Sequence, residues 1–196
     1  MKLETAASEM AAQAHHRLNT LLRAQRFYPP KQVIWLYKSL VLSYIETSTP
    51  AIFHATSFAL SPLDRVQERF LAEMGLSMLD ALSVFALAPL VTRRDMAMLG
   101  LIHRVVLGIA PRQFCEFIRP AASTQFPRAL RAPHLRHDHQ LHDPIDGSQA
   151  NMYQRSLMGL VYSYNMLPQT VIDSKTVSSF QKRLQAGVLR AGRASI

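Results

Sequence analysis

Four histidines lie close together in the second half of the chain, with two aspartates among them: His134, His137, His139 and His142, with Asp138 and Asp143. Neutral imidazoles at short spacing are ordinary ligands of Zn²⁺. However, no cysteine lies nearby, prolines stand on both sides, and no helical pattern places two of these histidines on one face. The segment therefore favours a surface loop, and a metal site is the lesser alternative.

No other group of residues forms a recognisable catalytic pattern. Zinc-protease His-Glu-x-x-His spacing, glycine-rich phosphate loops and the Gly-x-Ser-x-Gly elbow are all absent. The single cysteine, Cys115, excludes an internal disulfide, and its place between Phe114 and Phe117 favours a small buried hydrophobe over a nucleophile. We therefore expect no enzymatic activity and no cofactor.

The charge of the chain favours a polyanionic partner, although charge alone does not choose between nucleic acid and an acidic membrane. Lys and Arg number 22 against 13 Asp and Glu, which gives a net charge of +9 and a pI near 10.2. After Ser174 five basic residues occur with no acid. Such a face either contacts phosphates without reading sequence or is merely solvated, and Arg17 either snorkels or meets an anion. The candidates for weak, non-specific nucleic-acid binding are Arg17, Arg23, Arg26, Lys182, Arg183, Arg190 and Arg193.

In the first half of the chain, the elements that position the candidate residues are predicted to be helices. Apolar spacing predicts a helix over residues 3–27, stopped by Pro29 and Pro30, and another over residues 33–47. The second is apolar on two sides, because Trp35 and Leu42 project away from its main stripe. A third helix is predicted to begin with Ser61 as N-cap, and to end at Gly75.

The second half continues the helical pattern around one long irregular segment. Short helices are predicted over residues 80–87 and 111–117, with a longer one between them capped by Thr92 and closed at Gly108. Residues 119–150 lose all periodicity, and helices return over residues 153–165 and 176–189, the last capped by Ser174. These patterns predict an all-α fold, an irregular multi-helix bundle with a long Pro/His-rich loop and a basic C-terminal helix.

Composition excludes several classes of protein. Hydrophobic residues make up 48% of the chain and charged residues 18%, which is typical of a globule rather than a disordered chain. No apolar run approaches the roughly 18 residues of a membrane helix, and the N-terminus lacks the apolar core of a signal peptide. We expect an intracellular protein that does not span a membrane, and its compartment, the nucleus included, stays open.

Several short motifs resemble the region after the polymerase palm in non-LTR retrotransposon reverse transcriptases. The first is a Tyr-Lys helix with a following Tyr-Ile-Glu, then a Pro50 break and Leu-Asp-Arg-Val-Gln at residues 63–67. The later ones are Leu-Ile-His-Arg at residues 101–104 before Gly108 and Pro111, and Tyr-Asn-Met-Leu-Pro at residues 164–168 before a Phe-containing helix. The family usually has Trp where Tyr164 stands here.

The resemblance implies the thumb and post-polymerase helices of such an enzyme. Family members hold two metal ions with an adjacent Asp pair in the palm, and no such pair occurs in this sequence. The implied protein is a non-catalytic fragment or remnant, in which Met1 starts a truncated reading frame. It divides into a thumb-like bundle at residues 1–118, a loop at 119–150 and a C-terminal helical segment at 151–196.

Two functions follow from this reading. The first is weak, salt-sensitive and non-specific binding of template or primer nucleic acid. The alternative is a helical protein-interaction module, in which apolar surface around Trp35 and Leu42 once met a missing polymerase domain and now drives self-association.

Overall fold

The protein is described by a computed structural model over residues 3–121, 137–145 and 151–194. Its longer helices are α1 (Leu3–Ala24), α5 (Ser57–Glu73), α7 (Leu90–Val106) and α12 (Val177–Ala194). Shorter ones are α2 (Pro30–Tyr37), α3 (Ser43–Thr47), α4 (Thr49–Ile52), α6 (Met78–Phe85), α8 (Arg112–Phe117), α9 (Asn151–Gln154), α10 (Leu160–Asn165) and α11 (Gln169–Ile172). Within the described ranges no strand forms, and Pro120 and Leu141 make an isolated antiparallel bridge. The predicted all-α fold is confirmed.

None of the described helices combines the length and the apolar character that crossing a bilayer requires. The chain divides into two compact units. Unit 1 comprises Met1–Arg94 with Val188–Ile196, and unit 2 comprises Asp95–Gly187. The sequence-based division at residues 118 and 150 stays a prediction.

The core of unit 1 forms where α1 packs along α5. One stripe of α1 is buried and consists of alanines and leucines: Ala7, Ala11, Ala14, Leu18 and Leu21. Small side chains at this spacing let the two helices approach closely. The ring of Tyr37 lies parallel to that of Phe70 with centroids 3.9 Å apart, so this aromatic pair fills the centre of the core.

The predicted helix over residues 33–47 is interrupted by a π turn at Lys38–Leu42. A π turn is wider than an α turn, so the residues after it rotate relative to those before it. Trp35 is consequently exposed while Leu42 is buried, although an unbroken helix would place both on one face. The prediction that Leu42 belongs to an exposed apolar surface is wrong.

Helix α5 begins earlier than the sequence indicated. Thr56, not Ser61, is its N-cap, and its hydroxyl accepts a hydrogen bond from the amide of Ala59 at 3.1 Å. Pro62 lies inside the helix and has no N–H to donate to the carbonyl of Phe58. The hydroxyl of Ser61 donates to that carbonyl instead, at 2.9 Å, so the proline is accommodated without ending the helix. Gly75 follows α5 with φ of 64°, as predicted for its end.

Three further predictions are corrected. Helix α7 begins at Leu90, directly after Pro89, so Thr92 lies inside it rather than capping it. The last helix is capped by Thr176, whose hydroxyl accepts from the amide of Ser179 at 3.1 Å, and not by Ser174. Cys115 is exposed rather than buried, since α8 buries none of its residues.

The core of unit 2 contains polar side chains among its apolar ones. Ile102, Val161, Tyr164 and Phe180 are buried there, and His103 lies among them without solvent exposure. The ring of His103 stacks on that of Phe180 with centroids 4.1 Å apart. The centre of unit 2 is therefore an aromatic cluster that includes a titratable group.

Candidate nucleic-acid interface

The seven basic residues predicted to bind nucleic acid are distributed over both units. Arg17, Arg23, Arg26 and Arg190 belong to unit 1, and Lys182 and Arg183 to unit 2. Arg193 lies in α12, and its side chain is outside the described part of the chain. The residues are therefore considered within their own units.

Arg17 has a contact inside unit 1. Its guanidinium donates to the carbonyl of Leu40 in the π turn at 3.2 Å, and its Cζ lies 4.1 Å from the centre of the Tyr44 ring. These contacts hold α1 against the π turn and explain a basic residue at the edge of an apolar stripe. The position is structural, and the charge is only partly available to a ligand.

Arg183 of unit 2 is also engaged, because its guanidinium donates to the carbonyl of Thr170. Lys182 and Arg190 are exposed, and within the described ranges neither makes an ion pair or a hydrogen bond. The predicted basic face of α12 thus offers free charges at Lys182 and Arg190.

A further group of exposed cations lies where α1 turns into α2. Arg23, Arg26 and Lys31 are exposed there. Three exposed aromatic rings belong to the same short segment of the chain: Phe27, 71% exposed, Trp35, 66% exposed, and Tyr28, 46% exposed. We call these six residues the α1–α2 corner. The sequence analysis included its two arginines, assigned Trp35 to an apolar interaction surface, and did not include Lys31, Phe27 or Tyr28.

Local backbone chemistry fixes the shape of the corner. After α1 the chain makes a 3₁₀ turn at Gln25–Phe27, closed by a hydrogen bond from the amide of Tyr28 to the carbonyl of Gln25 at 3.1 Å. Pro29 then takes an extended conformation and Pro30 occupies the first position of α2, where a missing N–H costs nothing. Lys31 and Trp35 lie four residues apart and share one face of α2.

The sequence around the corner contains basic residues but no acidic ones. No acidic residue occurs between Glu9 and Glu46. Glu46, the next acid along the chain, is paired with Arg93, so its charge is compensated within unit 1. The ammonium group of Lys38 donates a hydrogen bond to the carbonyl of Phe85. Burial lowers the pKa of Lys38, and the nearby positive charge of Arg93 lowers it further. This acid-free run is the sequence signal that would have located the corner.

The histidine segment has a structural role where it is described. His137 is buried, its Nε2 lies 3.2 Å from the carbonyl oxygen of Tyr164, and its ring meets that of Tyr164 edge-on. Because a carbonyl only accepts, Nε2 carries the proton. His139 and His142 are not buried, and His134 lies outside the described residues. Across the described ranges no three His, Cys, Asp or Glu side chains are grouped to hold a metal ion.

His103 is a buried group that the sequence did not single out as a site. Its Nε2 lies 2.8 Å from the carbonyl oxygen of Ser174, so Nε2 must donate, and Nδ1 then accepts from the hydroxyl of Tyr164 at 2.9 Å. Burial lowers the pKa of His103, against the hydrogen bond to Ser174, which raises it. Both ring nitrogens are used, so this histidine is a neutral structural link.

The α1–α2 corner combines unpartnered charge with exposed aromatic rings, whereas His103 and His137 are buried. Compared with family models, with curated proteins and with solved structures, the chain matches none of them.

Proposed function

We propose that the chain is a non-catalytic helical protein that binds nucleic acid weakly and without sequence preference, and that it derives from the post-palm region of a retroelement reverse transcriptase. The observation that carries the binding proposal is the α1–α2 corner, whose free cations lie in an acid-free part of the sequence. The derivation rests on the resemblance of the motifs alone.

The physical basis of binding is counterion release. Cations that approach the phosphates of a nucleic acid displace condensed counterions, so affinity falls as salt concentration rises. Arg23 has no ion pair or hydrogen bond among the described residues, and Arg26 contacts only the ring of Phe27. Neither guanidinium must break an internal ion pair to meet a phosphate.

A salt titration of filter binding tests the proposal with duplex DNA, single-stranded DNA and RNA. We expect the logarithm of the binding constant to fall linearly with the logarithm of salt concentration. Replacing Arg23 and Arg26 with Gln should make the slope shallower by about one to two units, since about one phosphate contact is lost per cation.

The matched control replaces Arg65 and Arg112 with Gln, which removes the same charge from exposed positions outside the corner. That control should keep nearly the full slope. Absence of binding at low salt, or binding indifferent to salt, would refute the proposal. Equal slopes for the two double variants would show that total charge, and not the corner, carries the binding.

A further inference from the structure

We infer that the α1–α2 corner recognises a single strand of nucleic acid, with bases stacked on Trp35 and its neighbouring rings and phosphates held by Arg23, Arg26 and Lys31. This inference rests on the proposed function and adds the strandedness of the ligand. It is carried by the coincidence of three exposed rings and three free cations in one short acid-free segment.

The rings are placed for stacking rather than for packing. Aromatic side chains are usually the main occupants of a core, as Tyr37 and Phe70 are in this unit. The indole of Trp35 instead projects from the outer face of α2, on the opposite side from the buried Val33 and Tyr37. Every base has a π-face, so an exposed ring binds unpaired bases with little dependence on sequence.

Arg26 and Phe27 form a prearranged stack inside the corner. The guanidinium carbon of Arg26 lies 4.8 Å from the centre of the Phe27 ring. The contact orients a planar cation beside a ring that stays 71% exposed. A base that stacks on this pair would gain both the ring face and the attraction of the cation.

Lys31 completes the arrangement from the other side of the turn. It is exposed and stands one helical turn before Trp35 on α2, so its ammonium group and the indole lie along the same face. A strand that places a base on Trp35 can therefore place an adjoining phosphate near Lys31.

A single strand fits this surface better than a duplex or a membrane. In a duplex the faces of the bases are covered by their neighbours, and exposing one costs a few kcal/mol. A membrane-surface helix presents a continuous apolar face along its length, whereas the apolar stripe of α1 is buried. The corner presents separate rings among cations, which is the composition of single-strand grooves.

Trp35 is the only tryptophan of the chain, so its fluorescence reports directly on the corner. Titrating the full chain with a short single-stranded DNA should reduce this emission, because a base stacked on the indole quenches its excited state. An equal concentration of phosphate in duplex form should give salt-sensitive binding with little quenching. Anionic phospholipid vesicles are titrated in parallel as the competing surface.

Variants separate stacking from charge. Trp35→Ala should weaken single-strand binding at least about five-fold and leave duplex binding unchanged, since stacking contributes about 1 kcal/mol or more per base. Trp35→Phe, which keeps a ring, should recover most of the loss. The control is Phe58→Ala, which removes a ring that is 81% exposed on α5, outside the corner, and should change neither affinity.

The outcomes distinguish this inference from the proposed function. Salt-sensitive binding without quenching, or with equal effects of Trp35→Ala on single strands and duplex, overturns the single-strand inference and leaves non-specific binding standing. No binding of any nucleic acid overturns both. A blue-shifted emission with vesicles and no response to DNA assigns the corner to a membrane surface and also overturns both.

Discussion

Unit 1 and unit 2 each bury a tyrosine at their centre, but only in unit 2 does the tyrosine hydroxyl have a hydrogen-bond partner among the described atoms. In unit 1 Tyr37 lies face to face with Phe70, and its hydroxyl oxygen is buried without a hydrogen-bond partner among the described atoms. In unit 2 Tyr164 donates its hydroxyl to Nδ1 of His103, while His103 stacks on Phe180. Burial raises the pKa of both tyrosines, so both stay neutral.

The difference shows where each unit places its polar contacts. Around the core of unit 1, Arg94 pairs with Asp64 at 2.9 Å and Arg93 pairs with Glu46, both carboxylates being partly exposed. In unit 2 the hydrogen bonds of His103 and His137 run through the aromatic centre itself. Polar groups in a core are costly unless every one is paired. Unit 1 also has a buried hydrogen bond, from Nε2 of Gln67 to the carbonyl of Ala88 at 3.1 Å, and in unit 2 Nδ1 of His137 is buried without a partner among the described atoms. The two units therefore differ at their aromatic centres, where unit 1 relies on ring stacking and unit 2 on ring stacking and hydrogen bonds together.

The largest expected effect is the loss of the stacked pair in unit 1. Phe70→Ala should lower the free energy of unfolding by about 3–5 kcal/mol, because a fully buried ring is replaced by a cavity. Urea denaturation followed by Trp35 fluorescence measures the change in this unit. Phe58→Ala, at an exposed ring of the same unit, should cost less than about 0.5 kcal/mol. Similar losses for the two variants would contradict a packing-dependent core.

The two tyrosine hydroxyls give the most direct test of the comparison. Tyr164→Phe leaves Nδ1 of His103 buried without its donor and should cost about 1–3 kcal/mol, whereas Tyr37→Phe removes an unpartnered hydroxyl and should be neutral or stabilising. Native-state hydrogen exchange read by mass spectrometry resolves the peptides of each unit. If both variants cost the same, the hydrogen bond to His103 contributes nothing and the two cores are alike.

Acid should weaken unit 2 through its buried histidines. Burial lowers the pKa of His103 and of His137 below the ordinary 6.5. The hydrogen bond from each ring to a backbone carbonyl raises the pKa, but by less than burial lowers it. The unfolded chain then binds protons that the folded chain does not, so stability is complete above pH 6.5 and falls as the pH is lowered below it. His139 adds to the lowering in both cases.

Thermal melting followed by circular dichroism between pH 8 and pH 5 measures this effect. His15 in unit 1 also has a lowered pKa, through burial and the nearby Arg69, so the comparison is made with His15→Gln as the background. In that background His137→Gln should reduce the remaining pH dependence, to which His103 still contributes. A melting temperature that is independent of pH would contradict a neutral histidine core.

The sequence predicted the helical class because its apolar periodicity is strong, but it misplaced positions where local signals competed. Ser61 and Pro62 match a helix start, yet Thr56 offered an earlier cap and Ser61 satisfied the carbonyl that Pro62 leaves free. Ser174 also matches an N-cap, but its carbonyl is used by His103. In the first case side-chain hydrogen bonds between residues three apart decided the start of the helix, and in the second the contact joins residues 71 apart in the sequence. Apolar periodicity carries no information about either.

The candidate site was predicted only in its charges. The charge excess located Arg23 and Arg26, because both are exposed on a helix with few acids. An exposed apolar surface was predicted around both Trp35 and Leu42, but the π turn rotates Leu42 into the core and leaves only Trp35 of the two exposed. Arg17 was predicted either to snorkel or to meet an anion, and the structure gives it the carbonyl of Leu40 in the π turn and the ring of Tyr44 in α3 to contact.

Substitutions of Arg17 and Arg23 should have the smallest effects on stability, and they test whether polar contacts matter less in unit 1 than in unit 2. Arg17→Gln should destabilise unit 1 by about 0.5–1 kcal/mol, because an exposed cation–π contact of this kind is weak. Arg23→Gln makes the same charge change on the same helix without losing a described contact, and should be neutral. Urea denaturation followed by Trp35 fluorescence measures both. A loss at Arg17 as large as that of Tyr164→Phe would mean that polar contacts at the edge of unit 1 matter as much as those inside unit 2, and the contrast between the two units would fail.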